Sequence, residues 1–309
     1  GGVFVGPFAA DAALIDMARG AVNSWFESMS GFTTTGATVI SHDMSPNCIP
    51  EQTADCINAQ PRGILLWRSL TQWLGGMGII MLGMMLLSRV MGGGMALARA
   101  ELTGPSLSRL RPKVKETAFT LWKIYIGFTF IEIFLLGTFG GMSLFDSVNH
   151  GFTTMATGGF STRDASIGYY DSLAVEAIII TFMFIGGVNF TLIWFLLARE
   201  YVKAFKDEEF KTYLVYIFVA VSVMMVALVT TNVNLGDSFR QSLFQTISIG
   251  TSTGYTTQDY MAWPAVTQFI LMILMIVGAC AGSTSGGLKL MRIILAFKVA
   301  MRELVRIAQ

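Results

Sequence analysis

The chain has 309 residues and a formal net charge of +1, with 53% hydrophobic and only 13% charged residues. Its mean hydropathy is +0.59. Soluble domains carry about 25% charged residues, so this composition excludes an ordinary soluble domain and points to a chain embedded in a membrane.

The first eight residues, Gly1 to Phe8, read like the tail of an earlier hydrophobic segment. That opening leads to the expectation of a piece of a longer chain, and it carries no charged n-region with a cleavage site. Next comes Asn23 to Thr38, an amphipathic helix pattern running into Thr33-Thr34-Thr35-Gly36-Ala37. The following connection carries Asp43, Glu51 and Asp55, and also Cys48 and Cys56. On an oxidising exterior these two cysteines form either a small disulfide staple or two free thiols.

Five long apolar stretches are expected to span the bilayer, at 63–88, 118–140, 173–198, 212–231 and 263–299. Each is near or above the roughly 20 residues that a spanning helix needs. Arg89, Arg99, Arg109, Arg111, Lys113 and Lys115 follow the first span. Arg199, Lys203, Lys206 and Lys211 follow the third, and Lys289, Arg292, Lys298, Arg302 and Arg306 fall in or after the fifth. The opposite connections are acidic or neutral, so the basic segments are expected on the cytoplasmic side. Basic runs also occur in nucleic-acid binders, but their regular placement beside spans favours topology, and no nucleic-acid partner is expected.

An internal repeat organises the outer segments. Ser147 to Thr162 and Ser242 to Thr257 repeat the pattern of a helix about three turns long followed by a Thr/Gly loop. The loops align as Thr33-Thr34-Thr35-Gly36, Ala156-Thr157-Gly158-Gly159 and Thr251-Ser252-Thr253-Gly254. The spans that follow carry Gly75-Gly76, Gly186-Gly187 and Gly278 to Gly282. The fold expected is an all-α polytopic membrane protein of span, pore helix, loop, span units. The units run over 1–116, 117–211 and 212–309, the first lacking most of its opening span and the third ending in a broken span with a basic tail.

One Thr/Gly loop alone reads as a surface turn. Three, each between a re-entrant helix and a glycine-bearing span, read as a filter, because non-helical backbone at membrane depth survives only when buried or lining a wet cavity. Backbone carbonyls and Thr hydroxyls supply the oxygen cage that a dehydrated monovalent cation needs. The loops contain no carboxylate, which argues against an acidic ring for divalent ions. The twelve loop residues named above are therefore the candidate ligands for K⁺.

The run Gly278-Ala279-Cys280-Ala281-Gly282-Ser283-Thr284-Ser285-Gly286-Gly287 interrupts the last span. It reads either as a small-residue packing surface or as an unwound loop lining a cavity. Cys280 reads as a packing residue, and Lys289 either repels cations at the inner mouth or marks the membrane edge. Arg68, Gln72 and Glu132 are intramembrane polar groups, open to a functional or a purely structural reading. His42 and His150 read as structural. No metal-ligand cluster, nucleophile–base pair or phosphate loop is present, so no enzyme and no organic cofactor are expected. A secondary transporter coupling Na⁺ or protons to a solute is the competing class. Its marks are inverted repeats and carboxylates at membrane depth, whereas these repeats are parallel.

Four segments resemble the Trk/Ktr/HKT superfamily of potassium transporters, and within it the bacterial TrkH type: Gly31 to Thr38, Trp67 to Ile79, Met155 to Thr162 and Ala279 to Lys289. The resemblance implies four such units around one pseudo-fourfold pore, of which three are visible here. It identifies Gly36, Gly159 and Gly254 as filter glycines and 278–287 as an intramembrane gating loop. It further implies a homodimer in the bacterial inner membrane, surrounded by lipid, with a TrkA-like cytoplasmic nucleotide-binding subunit on the basic face. A serine at a filter-glycine position goes with sodium permeation in that superfamily. All three positions here are glycine, which favours K⁺ over a sodium-permeable member.

Overall fold

A computed structural model describes residues 14–41, 48, 54–78, 114–231 and 233–308. The second half of the first apolar stretch, the basic residues Arg89 to Lys113, and His42, Asp43 and Glu51 lie outside these residues. The described chain is helical, and its one β feature is a single bridge between Val277 and Leu288.

Helix α1 (Leu14–Phe32) leads into the first Thr/Gly loop. Helix α2 (Arg62–Trp73) continues as a π-helical turn, Leu74–Gly78. Helix α3 (Val114–Thr138) is the first full span, and α4 (Leu144–Met155) leads into the second loop. Helices α5 (Leu173–Gly187) and α6 (Phe190–Leu197) follow, then the short α7 (Tyr201–Phe205). Helix α8 (Glu208–Val229) is the second full span, and α9 (Leu235–Gly250) leads into the third loop. Helices α10 (Ala265–Ile276) and α11 (Leu290–Ala308) flank the Gly/Ser/Thr run.

Local chemistry places the helix starts. Ser143 accepts from the Asp146 amide at 3.1 Å and donates to its carboxylate at 2.8 Å, a reciprocal cap for α4. Asn234 caps α9 through the Asp237 amide at 2.8 Å, and Asp207 caps α8 through Phe210 at 2.9 Å.

Two boundaries differ from the sequence reading. The helices before the loops are not uniformly three turns: α4 has 12 residues, but α1 has 19 and α9 has 16. The stretch 173–198 is also not one straight span, because α5 and α6 meet at 105°. Gly186-Gly187 ends α5, Val188 is extended, and Asn189 starts α6 by accepting from the Thr191 amide at 2.8 Å. Helix breaks are tolerated where other groups satisfy the freed carbonyls, and the loop after α10 does so here.

Polarity runs opposite to that of a soluble protein. Phe130, Phe134, Phe139, Phe218 and Phe269 are exposed on the flanks. Ser147, Asn149, His150, Thr153, Thr154, Ser242, Thr246 and Ser248 are fully buried on α4 and α9. Apolar flanks around a polar interior suit a hydrocarbon solvent. The spans pack through aromatic contacts: Trp73 stacks on Tyr125 at 5.5 Å, and the Tyr125 hydroxyl donates to the Trp73 carbonyl at 3.0 Å. Glu132 is fully buried in α3.

Outside this core, Cys48 and Cys56 are joined in a disulfide with Cα atoms 5.1 Å apart. Cys56 and Ile57 donate their amides to the Asp164 carboxylate at 2.6 and 2.9 Å, tying this small loop to the chain beyond the second Thr/Gly loop.

Candidate functional site: three matched loops and the loop beneath them

The three Thr/Gly loops share one backbone. The amides of Thr34, Thr157 and Ser252 donate three residues back, to Gly31, Thr154 and Ile249, at 3.0, 2.8 and 2.9 Å. The next amides, of Thr35, Gly158 and Thr253, donate five residues back, to Ser30, Thr153 and Ser248, at 3.0, 2.8 and 2.9 Å. This pair of bonds is a Schellman termination of each helix. It requires a left-handed residue, and Thr34, Thr157 and Ser252 supply it with φ of 53°, 49° and 57°. Non-glycine residues there cost about 1–2 kcal/mol each. Two residues on, Gly36, Gly159 and Gly254 have φ of 77°, 77° and 85°.

The loops touch in order. A Cβ on Gly36 would collide with the Gly158 carbonyl oxygen, and one on Gly159 with the Thr253 carbonyl oxygen. A Cβ on Gly254 would meet no described atom within 4 Å. Each glycine at these contacts is thus needed twice, for its φ and for close approach. The glycine pairs of the following helices sit between neighbouring loops. A Cβ on Gly75 would strike the Phe32 carbonyl at the base of the first loop, while one on Gly76 would lie 2.8 Å from Ala156 Cα of the second. Likewise a Cβ on Gly186 would lie 3.0 Å from Thr157 Cγ2 of the second loop, and one on Gly187 2.8 Å from Thr251 Cγ2 of the third.

Hydroxyl groups brace the first and third loops. Thr33 Oγ1 donates to the Met29 carbonyl at 2.6 Å and pairs with Thr35 Oγ1 at 2.8 Å. Thr251 Oγ1 repeats this with the Ile247 carbonyl at 2.7 Å and Thr253 Oγ1 at 2.8 Å. Ala156 and Gly158 occupy these positions in the second loop and carry no hydroxyl. Gln72 reaches that loop from α2: its Nε2 donates to the Gly158 carbonyl at 2.8 Å, and its Oε1 accepts from the Phe160 amide at 3.1 Å.

Arg68 sits one turn before Gln72, fully buried. Its Nε bonds Glu27 at 3.0 Å, and its guanidinium lies 3.9 Å from the centre of the Phe160 ring. Glu27 in turn accepts from Thr38 Oγ1 at 2.5 Å and the Val39 amide at 2.7 Å. This buried pair therefore links the chain just after the first loop to the chain just after the second. His150 is held by the Asp146 carbonyl at 2.8 Å and Ser161 Oγ at 3.1 Å, which fits its structural reading.

The run 278–287 is an unwound loop between two helices. Gly278 N donates to Leu288 O and Leu288 N to Ile276 O, both at 3.0 Å, closing its neck. Within it, Ala279 N donates to Ser285 Oγ at 3.3 Å, and Ser283 Oγ to Cys280 O at 2.6 Å. Gly282 and Gly287 take φ of 75° and 71°. The loop docks on the α5–α6 break: Cys280 N donates to Gly187 O at 3.1 Å, Thr284 N to Gly186 O at 3.2 Å, and Phe190 N to Gly282 O at 3.1 Å. It also meets the bases of two Thr/Gly loops. Thr284 Oγ1 donates to Met155 O at 3.0 Å, and Gly286 N donates to Ser252 Oγ at 2.5 Å, where Ser285 Oγ also lies at 3.2 Å. Cys280 is a buried free thiol in the main core. Lys289 donates to the Ser285 carbonyl.

One residue with no signal in the sequence holds this loop. Glu209, in the first turn of α8, is 2% exposed, and its Oε1 accepts from Ala281 N at 2.7 Å and Met291 N at 2.9 Å. As the third acid of an Asp207-Glu208-Glu209 helix start, it reads in sequence as a favourable N-terminal charge.

Comparisons with known proteins point one way. Residues 14–306 match the family model described as TrkH, cation transport protein. The chain is 40% identical over 289 residues to the Trk system potassium uptake protein TrkH of Escherichia coli K12, covering 92% of this chain and 57% of that protein. It is 34% identical over 291 residues to the TrkG protein of the same strain, covering 92% of this chain and 56% of that one. The crystal structure of the potassium transporter TrkH from Vibrio parahaemolyticus superposes with a TM-score of 0.73 at 35% identity, over 93% of this chain and 56% of that one. The chain therefore spans a little over half the length of the relatives it matches. These relatives are transport proteins, not enzymes. By the family match and these identities together, the chain belongs to the TrkH family of cation transport proteins.

Proposed function

We propose that this chain supplies three strands of a K⁺ selectivity filter and the gate beneath it, in a potassium uptake protein of the bacterial inner membrane. One observation carries the reading: three loops with the same two positive-φ residues, each lying against the next. Alternating the hand of the backbone turns successive carbonyls to one side, as a ring of cation ligands requires. The helices before the loops end at them, so their partly negative C-termini add to the attraction.

The order of contacts, Gly36 on Gly158 and Gly159 on Thr253, supports a closed ring of such steps. The side of Gly254 that continues the series is open among the described residues. A fourth strand of the same kind fits there and completes a pseudo-fourfold pore. The units 1–116, 117–211 and 212–309 are its first three quarters. The loop 278–287 lies under the second and third strands and acts as the gate. The basic end, with α7 and α11, faces the cytoplasm and receives a nucleotide-binding regulatory subunit, and the transporter works as a homodimer in lipid.

The test is uptake of Rb⁺ against Na⁺ by vesicles carrying the full-length protein or its Gly254→Ser variant. The variant is expected to lose discrimination between the two ions. Equal discrimination in both proteins overturns the filter.

A further inference from the structure

The second loop departs from its neighbours in a way that singles out one residue outside all three loops. In the first and third loops, paired hydroxyls (Thr33 with Thr35, Thr251 with Thr253) brace the strand from behind. In the second loop the same positions are Ala156 and Gly158, and the bracing comes from the amide of Gln72. The replacement is spatial as well as chemical. A Cβ on Gly158 would run into Cδ, Oε1 and Nε2 of Gln72, so the glutamine fills the space that a threonine side chain would take. Gly158 is not among the positive-φ residues, so its backbone does not require glycine; the neighbouring side chain does.

The bond made by Gln72 falls at a sensitive place. The Gly158 carbonyl that it holds is the atom lying against Gly36 of the first loop. The spacing between the first and second strands is therefore set through this amide. Gln72 is 0% exposed, and both of its amide functions are satisfied by the loop. The equivalent position on α5, three residues before Gly186, is the buried Met183, which cannot make such bonds. The loop next in order to α5 has its own hydroxyl pair and needs none.

We propose that Gln72 is a positioning residue for ion selectivity. It supplies the second filter strand with the brace that threonine pairs give the other two, and so sets the distance of that strand from the first. The inference rests on the filter reading above. Its ligand class is the same, a dehydrated alkali-metal cation.

A double-mutant cycle tests it. Rb⁺/Na⁺ discrimination is measured in vesicles carrying the full-length protein, alongside monodispersity in detergent. Gln72→Ala leaves a buried carbonyl and a buried amide unpaired and is expected to cut discrimination about tenfold. Gly158→Thr alone collides with Gln72 and is expected to lose discrimination or assembly. Gln72→Ala combined with Gly158→Thr restores a hydroxyl where the glutamine stood, and is expected to recover most of what either single change lost. Wild-type discrimination in Gln72→Ala overturns the proposal. So does a double variant no better than the worse single one, including the case where the single variants do not assemble. Gly254→Ser is run in the same assay. If it lowers discrimination while Gln72→Ala does not, only the role of Gln72 falls. If Gly254→Ser changes nothing, the filter reading falls and the proposal with it.

Discussion

Glu209→Ala is expected to open the loop at 278–287. The Glu209 carboxylate accepts two backbone amides, one from the tip of the loop at Ala281 and one from the start of α11 at Met291. Hydrogen bonds to a charged group contribute about 1.5–3 kcal/mol each. Removing both costs the docked loop at least about 3 kcal/mol, a shift of roughly 100-fold in a docked-to-released ratio. Glu209→Gln keeps a neutral acceptor. Charge-assisted bonds are roughly twice as strong as neutral ones, so its shift is about tenfold. The assay is passive Rb⁺ leak from vesicles containing the full-length protein alone. Leak rises in the order wild type, Glu209→Gln, Glu209→Ala. A monodisperse Glu209→Ala protein that leaks no more than wild type refutes the latch, as does a Gln variant that leaks more than the Ala variant.

Deleting Ala281 to Ser285 removes the contacts to Met155 and Glu209, and is expected to raise the same leak in a protein that still expresses; unchanged flux would count against the gate. Arg68→Ala strands a buried Glu27 and should destabilise the protein by about 3–5 kcal/mol, seen as a lost or strongly lowered melting transition. Replacing both, as Glu27→Gln with Arg68→Met, should recover much of that loss, and no recovery would mean that the pair is not the cause. The Cys48–Cys56 bridge closes a loop with a sequence separation of 8, worth about 2.5 kcal/mol by chain entropy. Reductant should therefore lower the melting temperature of the wild type but not of Cys48→Ser/Cys56→Ser, and a wild type indifferent to reductant would exclude a bonded pair.

The loops were legible because they depend on local chemistry. A helix that ends in a Thr/Gly run and precedes a glycine-bearing span is visible within forty or so residues, and three copies made the pattern. The break of the last span was legible for the same reason, since ten small residues cannot sustain an apolar helix. What sequence left open was decided at long range. Gln72 and Gly158 are 86 residues apart, and Glu209 and Ala281 are 72 apart. Nothing near Gln72 in sequence says which loop it serves. The 105° bend after Gly187 was hidden by a continuous apolar run. Hydrophobicity measures whether a segment can sit in lipid, and is silent on whether its hydrogen-bond ladder is shared with another segment. Arg68 resolved toward pairing, with Glu27 as a partner that α1 alone does not reveal.

The glycine pairs have a mechanical consequence. Gly75-Gly76 touches the first loop and the second, and Gly186-Gly187 touches the second and the third. Each returning helix is thus a spacer wedged between two neighbours, like a tooth shared by two gears. A strand cannot shift outward without pushing the wedge into the next one. The spacing of the three loops then behaves as one collective coordinate, so, on the proposed filter reading, two changes in different loops should interact in their effect on ion choice instead of simply adding.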